Sequence, residues 1–314
     1  MSKLAYSFAA PLAYASGSFR SVKLAPPFKI ERWSYQKICQ LIIDMEGPTE
    51  WSPDPRVDEL HCVLEHGNTG HVVTAQIELE SDSSVDGLLA LHRQLDARDE
   101  FLDREIRLIS LYLSAPIMIA ARYWFGIENG KRVMASAMQR NVPHDGHSYG
   151  ILYTEAQNLS AFLRRETSSN KADFIAIALD HWNHSYDSIP LHMQLVSLIT
   201  ALEVLLNPAQ TELKHRVTRL AAVLLGTSRE ESQEIYAGLG IIYDARSKVI
   251  HTGQLLAAKK VRYWQLRRWV SRAILHAMAL GLPKDRLCHD LNQLGFGDGP
   301  RYLSSATGGV SHGR

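Results

Sequence analysis

The sequence predicts an α+β protein, in which an N-terminal mixed, β-rich domain is followed by an all-α helical bundle. Alternating apolar residues and an Asn-Gly turn occur before about residue 165, whereas helical spacing dominates after about residue 168. The polar stretch SSNKAD separates the two regions. We therefore expect domains at residues 1–168 and 169–294, followed by a Gly- and Ser-rich flexible tail at 295–314.

Two strand signals and one long helix are predicted in the N-terminal domain. Residues 71–80 place apolar side chains at alternate positions, namely Val73, Ala75, Ile77 and Leu79. In residues 121–139, Asn129-Gly130 separates two strand-like segments and supplies the positive φ angles of a type I′ hairpin. Between these segments, residues 85–113 have helical spacing, and the stretch PHDGHSYG at 143–150 is typical of a loop.

Helical segments are predicted along the C-terminal domain at residues 172–187, 190–206, 211–226, 229–252, 256–281 and 283–294. Thr211 is a candidate N-cap, Gly226 and Gly253 stand where C′ glycines belong, and Pro283 opens the last segment. The segment 190–206 is apolar nearly all round, which predicts the central helix of the bundle.

Composition limits the classes of function. The 34 basic and 33 acidic residues give a net charge of +1, so contact with nucleic acid would need a local basic patch. The three cysteines are scattered and odd in number, which fits a reducing compartment and a cytoplasmic location. No run reaches the roughly 18 apolar residues of a membrane span, so no membrane partner is expected. We interpret the N-terminal stretch MSKLAYSFAAPLAYASG as part of the folded protein.

Arg246 interrupts the apolar face of the segment 229–252. Steps of four, three, four and three residues separate Ile235, Leu239, Ile242, Arg246 and Val249. A guanidinium does not lose its proton in a protein, so a covered face requires an acidic partner, a phosphate or an open groove. Glu203 in the central helix is the candidate partner, and a purely structural Glu203–Arg246 pair is the alternative. Arg216 and Arg219 could compete for the same carboxylate.

His251 lies five residues after Arg246 and therefore about 140° round the helix, so one straight helix does not bring the two side chains together. Ser247 and Asp244 share the face of His251 and could orient its ring. A lone histidine at a helix end is more often a cap than a catalytic group, so the pairing with Arg246 is what suggests function.

Three segments, in this order, resemble the Apea-like group of the HEPN domain superfamily. They are Ala201-Leu202-Glu203, the run LAAVLLG that ends at Gly226, and the stretch YDARSKVIHTG from Tyr243 to Gly253. The resemblance covers about residues 170–294 and implies an all-α bundle that dimerises, so that two copies of the Arg-to-His helix line one cleft. In such a dimer, Arg246 of one copy can act together with His251 of the other, so the two residues need not point in the same direction on one helix.

The resemblance implies that Arg246 and His251 are the catalytic pair, supported by Ser247, Asp244, Tyr243 and Glu203. Ser247 departs from the asparagine, aspartate or histidine that many family members have after the arginine. Many such domains are metal-independent endoribonucleases of bacterial defence, toxin systems or RNA processing. We therefore expect no cofactor and no metal.

The expected reaction is RNA cleavage by attack of the 2′-hydroxyl, which leaves a 2′,3′-cyclic phosphate and a 5′-hydroxyl. His251 is the expected acid/base, and Arg246 can donate two hydrogen bonds to the phosphate oxygens. The expected partners are RNA, with tRNA as one candidate, a second copy of the chain, and a phage-derived trigger at the N-terminal domain. The alternative is a non-catalytic HEPN-like module that dimerises and holds RNA or a protein.

A basic face with an exposed aromatic residue is predicted after the Arg-to-His segment. It comprises Lys260, Trp264, Arg267, Arg268 and Arg272, opposite a buried stripe that begins at Tyr263. Basic groups and an aromatic ring suit an RNA backbone and a stacked base, although an ordinary solvated face has the same composition.

Two other clusters contain residues of the types that bind metals. They are Asp180, His181, His184 and Asp187 in DHWNHSYD, and His144 and His147 in HDGH. Mixed histidine and aspartate on an outer helix face is more often solvated, and two ligands on a turn do not make a metal site.

Overall fold

A computed structural model of the chain describes residues 2–46, 64–65, 69–81, 85–128, 131–139, 148–167, 172–186, 190–207 and 213–299. The chain divides into two compact units, Met1–Ser169 and Asn170–Arg314. The first unit contains strands and helices, and the described residues of the second contain helices alone. The α+β class predicted from the sequence is therefore confirmed.

The first unit is built on an antiparallel sheet with the strand order β3-β5-β1-β7-β8. Its five main strands are β1 (Ser2–Ala13), β3 (Lys29–Ser34), β5 (Thr69–Ser81), β7 (Ala121–Glu128) and β8 (Lys131–Gln139). The shorter strands are β2 (Ala15–Gly17), β4 (Leu64–Glu65), β6 (Met118–Ile119) and β9 (Tyr149–Ile151). Of these, β4 pairs with β5 and β6 with β1, while β2 and β9 form a separate parallel pair.

Strand β1 is central, because it pairs with β5 on one side and with β7 on the other. Its side chains Phe8 and Leu12 are buried. The N-terminal stretch therefore belongs to the folded protein, as its sequence predicts.

Helices pack on both faces of the sheet, and the side chains of β7 alternate between them. The helices of this unit are α1 (Tyr35–Glu46), α2 (Val85–Leu113) and α3 (Tyr153–Thr167). Tyr123 and Phe125 join a cluster with apolar residues of α1. From the other face, Trp124 donates a hydrogen bond to Asp99 of α2. Residues 85–113 form the predicted helix, whereas α1 and α3 were not predicted.

Strand β5 agrees with the predicted strand at 71–80 but is more fully buried than its alternation suggests. Val73, Ala75 and Leu79 are buried as expected, and so are His71 and Val72. The cause is that helices cover both faces of the sheet, so the strand has no fully solvated side there. The two strands of the predicted hairpin pair from Ala121 to Gln139, while Asn129 and Gly130 lie outside the described residues.

Glu105 of α2 is a buried carboxyl group inside the first unit. Both of its oxygens accept the backbone N–H of Ala25 at 3.1 Å, and Oε1 accepts the Thr167 hydroxyl at 3.3 Å. Burial raises the pKa of this carboxyl to about 7, although both hydrogen bonds oppose the shift. Glu105 therefore holds the segment around Ala25 against the helices of this unit.

The second unit contains seven described helices. They are α4 (Asp173–His184), α5 (Leu191–Leu206), α6 (Leu213–Leu225), α7 (Arg229–Thr252), α8 (Leu256–Lys259), α9 (Tyr263–Leu280) and α10 (Lys284–Asn292). Helix α5 is buried along most of its length, as expected of a central helix. The segment predicted as one helix at 256–281 is instead divided, since residues 260–262 separate α8 from α9.

The glycines that end helices have two different roles. Gly253 after α7 and Gly281 after α9 have backbone φ angles of 67° and 62°, which residues other than glycine rarely adopt. Gly226 does not have a positive φ, contrary to the predicted C′ role. A Cβ atom at this position would lie 2.1 Å from Ser232 Oγ, so glycine is required there by close packing.

The chain after α10 differs in part from the predicted flexible tail at 295–314. The ring of Phe296 lies 5.7 Å from that of Tyr236 on α7, and the Gly297 amide donates to Ser232 Oγ. Residues 295–299 are therefore packed, and residues 300–314 lie outside the described part. Among the described helices, none is both long and apolar enough to span a membrane.

Candidate active site

Helix α7 carries the predicted catalytic pair, and its ends are well defined. The Ser228 hydroxyl accepts the Glu231 amide at the N-terminus, and the helix ends at Gly253. Its buried face includes Ile235, Leu239 and Val249, as the spacing predicts, and also Tyr243. This face packs against other helices of the unit and so fixes the direction in which Arg246 points.

Arg246 meets Glu203 of the central helix α5. The guanidinium Nη2 lies 3.8 Å from Glu203 Oε2, and the two side chains are 24% and 16% exposed. This distance permits electrostatic attraction but is too long for a hydrogen bond. The structure thus brings together the pair that the sequence suggests, in a half-buried and loosely coupled form.

Three buried polar atoms of this cluster form no hydrogen bond of normal geometry among the described residues: Glu203 Oε1, the Tyr243 hydroxyl and Arg246 Nε. The Tyr243 hydroxyl still faces the Glu203 carboxyl closely enough to affect its pKa. Burial raises the pKa of Glu203, while the Arg246 charge and the nearby Tyr243 hydroxyl lower it less strongly. Burial also raises the pKa of Tyr243, which keeps its hydroxyl protonated. Because buried polar groups are normally paired, this concentration of unpaired atoms marks the cluster as a site that a ligand or water could complete.

His251 lies in the last turn of α7 and is exposed, as are Ser247 and Asp244. Within the described ranges, neither the His251 ring nor the Ser247 hydroxyl takes part in a hydrogen bond or ion pair. The Asp244 carboxylate instead accepts a hydrogen bond from the Lys214 ammonium, with 2.5 Å between Nζ and Oδ1. The prediction that Ser247 and Asp244 orient the His251 ring therefore differs from the structure, because Asp244 forms an ion pair with Lys214 on α6.

Lys214 was not among the predicted site residues. Its ammonium reaches the exposed face of α7 that carries Asp244 and His251 because α6 packs against α7. The signal available in the sequence was the basic run LKHR at the start of α6. Arg219, considered as a competitor for Glu203, instead donates to the carbonyl of Leu294 at 2.9 Å and so anchors the chain after α10.

The predicted RNA-binding residues divide into two groups. Lys260, Trp264 and Arg268 are exposed, and Trp264 has 62% of its surface accessible. These three side chains remain available to a ligand, on the short segment and helix that follow α8.

Arg267 and Arg272 differ from the predicted exposed face because both are bound within the unit. Arg267 donates to the Ser185 carbonyl and to Gln194 Oε1, and its guanidinium lies 4.3 Å from the Tyr186 ring centre. Arg272 donates to the Leu225 carbonyl at 2.9 Å. Both side chains join helices that are distant in sequence.

Large apolar side chains are exposed near the end of α7. Ile250, Leu255 and Leu256 have 47%, 52% and 70% of their surfaces accessible. Such residues are common singly on protein surfaces, and these three lie within seven residues of one another in the sequence.

A metal-binding cluster is not observed in the part of the chain that the structure describes. Asp180, His181 and His184 lie on α4. Asp187, His144 and His147 fall outside the described residues. The two candidate metal clusters that contain these residues are therefore outside what the structure describes in whole or in part.

No protein-family model, curated protein or solved structure matches this chain. The likeness to HEPN domains therefore depends on the three sequence segments alone.

Proposed function

We propose that the protein is a dimeric, metal-independent endoribonuclease of the HEPN type, with Arg246 and His251 as its catalytic pair. The observation that carries the proposal is the state of Arg246. Its guanidinium is half-buried beside Glu203, yet no hydrogen bond joins the two side chains. The bundle therefore positions the cation without hydrogen-bonding it to Glu203, and a guanidinium in this state suits a phosphate ligand.

The proposed reaction uses the nucleophile that RNA itself carries. The 2′-hydroxyl oxygen attacks the adjacent phosphorus, and the bond from phosphorus to the 5′-oxygen breaks. The products are a 2′,3′-cyclic phosphate and a 5′-hydroxyl. Arg246 stabilises the charge that develops on the non-bridging oxygens, and His251 transfers a proton.

A second copy of the chain completes the active site in this proposal. Arg246 points toward α5, whereas His251 is exposed about 140° away on the same helix. Two copies related by a two-fold axis would place His251 of one chain near Arg246 of the other. The exposed apolar side chains Ile250, Leu255 and Leu256 support such a contact, because they lie in or next to the same helix end.

The proposed setting is bacterial anti-phage defence or a toxin system. The enzyme would act in the cytoplasm on RNA, with tRNA as one candidate substrate, while a phage-derived trigger would act at the N-terminal unit. Lys260, Trp264 and Arg268 are the exposed residues proposed to contact the RNA backbone and bases.

The second candidate function is a non-catalytic module that dimerises and binds RNA or a protein. One observation favours it: no described side chain orients the His251 ring. A binding module does not require an oriented histidine, whereas general acid/base catalysis does.

Cleavage of purified total RNA or tRNA in EDTA distinguishes the two functions. Wild-type protein should cleave, and Arg246→Ala and His251→Ala should each reduce the rate by at least about 100-fold. Matched controls are Arg229→Ala at the other end of α7 and His289→Ala in the last turn of α10, since both residues are exposed. Wild-type cleavage no faster than that of the two site variants would exclude a nuclease that is active without a trigger.

An activity that depends on a trigger requires a test in cells. Bacteria expressing wild-type or His251→Ala protein should be compared with and without phage infection. Growth arrest that requires infection and His251 supports a regulated toxin. Arrest of equal strength in both strains would contradict a catalytic origin.

A further inference from the structure

The proposed cleavage requires two proton transfers, which His251 alone does not provide in one step. One group must accept the proton of the 2′-hydroxyl, and another must donate a proton to the departing 5′-oxygen. A histidine that has just accepted a proton can return it, but a concerted reaction needs two groups on opposite sides of the phosphorus. The proposed reaction therefore requires a second acid/base near Arg246.

Glu203 is the carboxylate in contact with Arg246. The pair is separated by 3.8 Å, and neither Glu203 Oε1 nor Arg246 Nε has a hydrogen-bond partner among the described residues. The side chain remains 16% exposed. The ion pair therefore leaves the Glu203 carboxylate without a hydrogen bond from Arg246, and part of its side chain is accessible beside the guanidinium.

Asp244, the other carboxylate of the motif, is in a different state. It lies on the exposed face of α7 and accepts the Lys214 ammonium at 2.5 Å. This carboxylate is therefore engaged by Lys214, on a face of α7 that points away from Arg246. The contact with Arg246 therefore favours Glu203 over Asp244.

The electrostatics of Glu203 agree with this role. Burial raises the pKa of its carboxyl, and the groups that oppose the shift are Arg246 and Tyr243, both on α7. Among the described residues, no charged side chain on α4, α6, α8, α9 or α10 is a further cause of this shift. A carboxyl with a raised pKa accepts a proton more readily near neutral pH than an ordinary surface carboxylate.

We propose that Glu203 is the general base that accepts the 2′-hydroxyl proton, while Arg246 of the same chain binds the phosphate and His251 of the second copy is the acid. The assignment rests on the nuclease proposed above. The 2′-hydroxyl proton passes to Glu203 as the oxygen–phosphorus bond forms. The bond from phosphorus to the 5′-oxygen then breaks, and that oxygen takes the proton of the His251 imidazolium. Protons and electrons balance without a metal or a further reactant.

The test uses RNA in which sulfur replaces the bridging 5′-oxygen at the cleaved bond. A thiolate leaves without protonation, so this substrate needs a base but no acid. His251→Ala should lose about 100-fold or more on ordinary RNA and recover to within about tenfold of wild type on the sulfur substrate. Glu203→Gln should stay at least about 100-fold slower than wild type on both substrates.

A pH profile separates a base from a residue that only holds Arg246. The acidic limb of kcat/KM, where the rate rises as the base loses its proton, should disappear in Glu203→Gln and persist in Glu203→Asp. A purely structural Glu203 would leave this limb unchanged in Glu203→Gln. Thermal unfolding of each variant, with Glu234→Gln on the exposed face of α7 as the control, detects any loss of the fold.

The outcomes distinguish this inference from the proposed function. If wild-type protein cleaves neither substrate and its expression causes no His251-dependent growth arrest during infection, the nuclease proposal itself is wrong. If wild type cleaves and Glu203→Gln remains within about twofold of it, Glu203 is not the base. Recovery of Glu203→Gln, but not of His251→Ala, on the sulfur substrate would assign the acid role to Glu203 and overturn the inference.

Discussion

Arg246 Nη2 lies 3.8 Å from Glu203 Oε2, so the guanidinium is attracted to the carboxylate but is not hydrogen-bonded to it. A buried ion pair that serves only stability is expected to form close, well-aligned hydrogen bonds, since these offset the cost of removing both charges from water. The loose geometry of this pair, with Arg246 Nε and Glu203 Oε1 unpaired, is instead suited to an arginine that exchanges its partner for a substrate.

Arg246→Lys tests whether the shape of the guanidinium matters in addition to its charge. Lysine keeps the charge near Glu203 but cannot form the two parallel hydrogen bonds of a guanidinium. We expect RNA cleavage to fall by about 10²- to 10³-fold, with Tm within about 3 °C of wild type. Arg229→Lys, at an exposed position of the same helix, is the control for both measurements. Activity close to wild type would show that charge alone suffices.

Subunit mixing tests whether the active site is shared between two chains. Arg246→Ala and His251→Ala are each expected to be inactive as homodimers. A heterodimer of the two variants contains one site with both residues intact, so a 1:1 mixture should recover about one quarter of the wild-type rate. The measurement is RNA cleavage after co-expression or after unfolding and refolding together. No recovery in a verified heterodimer would mean that both residues act within one chain.

Arg267 and Arg268 are neighbours with different predicted roles. Arg267→Ala removes hydrogen bonds to Ser185 and Gln194 and should lower the free energy of unfolding by about 2 kcal/mol. Arg268→Ala, on the exposed side, should change it by less than about 0.5 kcal/mol. Urea unfolding measures both changes.

RNA binding at several salt concentrations provides the complementary measurement for Arg268. Removal of one phosphate contact should reduce the slope of log affinity against log salt by about 1. An unchanged slope in Arg268→Ala would place the RNA elsewhere on the protein.

Two glycines in the interior of α7 should respond to alanine in opposite ways. A Cβ atom at Gly238 would lie 2.7 Å from the Trp269 ring, whereas the nearest atom to one at Gly240 is Lys214 Cε at 4.0 Å. Gly240→Ala should therefore stabilise the protein by about 0.5–1 kcal/mol through helix propensity. Gly238→Ala should destabilise it by about 1–3 kcal/mol through overpacking. Urea unfolding should show the two signs, and equal effects would contradict the packing of α7 against α9.

Glu105→Gln should change how stability depends on pH. The carboxyl pKa is about 7 in the folded protein against a reference value of 4.5, so the folded state holds this proton more tightly. Its contribution is fully present below the reference value and is lost as pH rises through about 7. The wild type should therefore lose roughly 2–3 kcal/mol between pH 5 and pH 8 relative to Glu105→Gln.

The measurement for Glu105 is the free energy of urea unfolding at several pH values. Glu100→Gln on the exposed side of the same helix should give a curve parallel to that of wild type. A parallel curve for Glu105→Gln as well would show that the carboxyl does not titrate in this range.

Helical periodicity predicted the second unit more completely than strand alternation predicted the first. The bounds of α7 at Arg229 and Thr252 agree with the sequence because a serine cap and a C′ glycine mark them locally. In the first unit, α1 and α3 were not predicted, and β5 is buried on both faces over residues 71–75. Burial of a strand depends on which helices cover it, and the order of residues in the strand does not specify that.

The candidate active site was predicted only in part for the same reason. Spacing along α7 identified Arg246 as an arginine on an apolar face and suggested Glu203 as its partner. It did not predict that Asp244 would form an ion pair with Lys214 and leave His251 without that carboxylate beside it. Nor did it predict that Arg267 and Arg272 would form hydrogen bonds to other helices of the same unit. These contacts join residues on different helices, so they depend on helix packing rather than on periodicity within one helix.

By itself, the sequence determined the α+β class, the bounds of most helices of the second unit and the phase that separates Arg246 from His251. These features follow from interactions between residues near one another in the chain. Only the tertiary structure decided that the Arg246–Glu203 pair is loose and partly exposed, and which basic side chains remain free to contact a ligand. Distances and solvent exposure across helices are set by how whole elements pack, since each helix can present the same face at several separations.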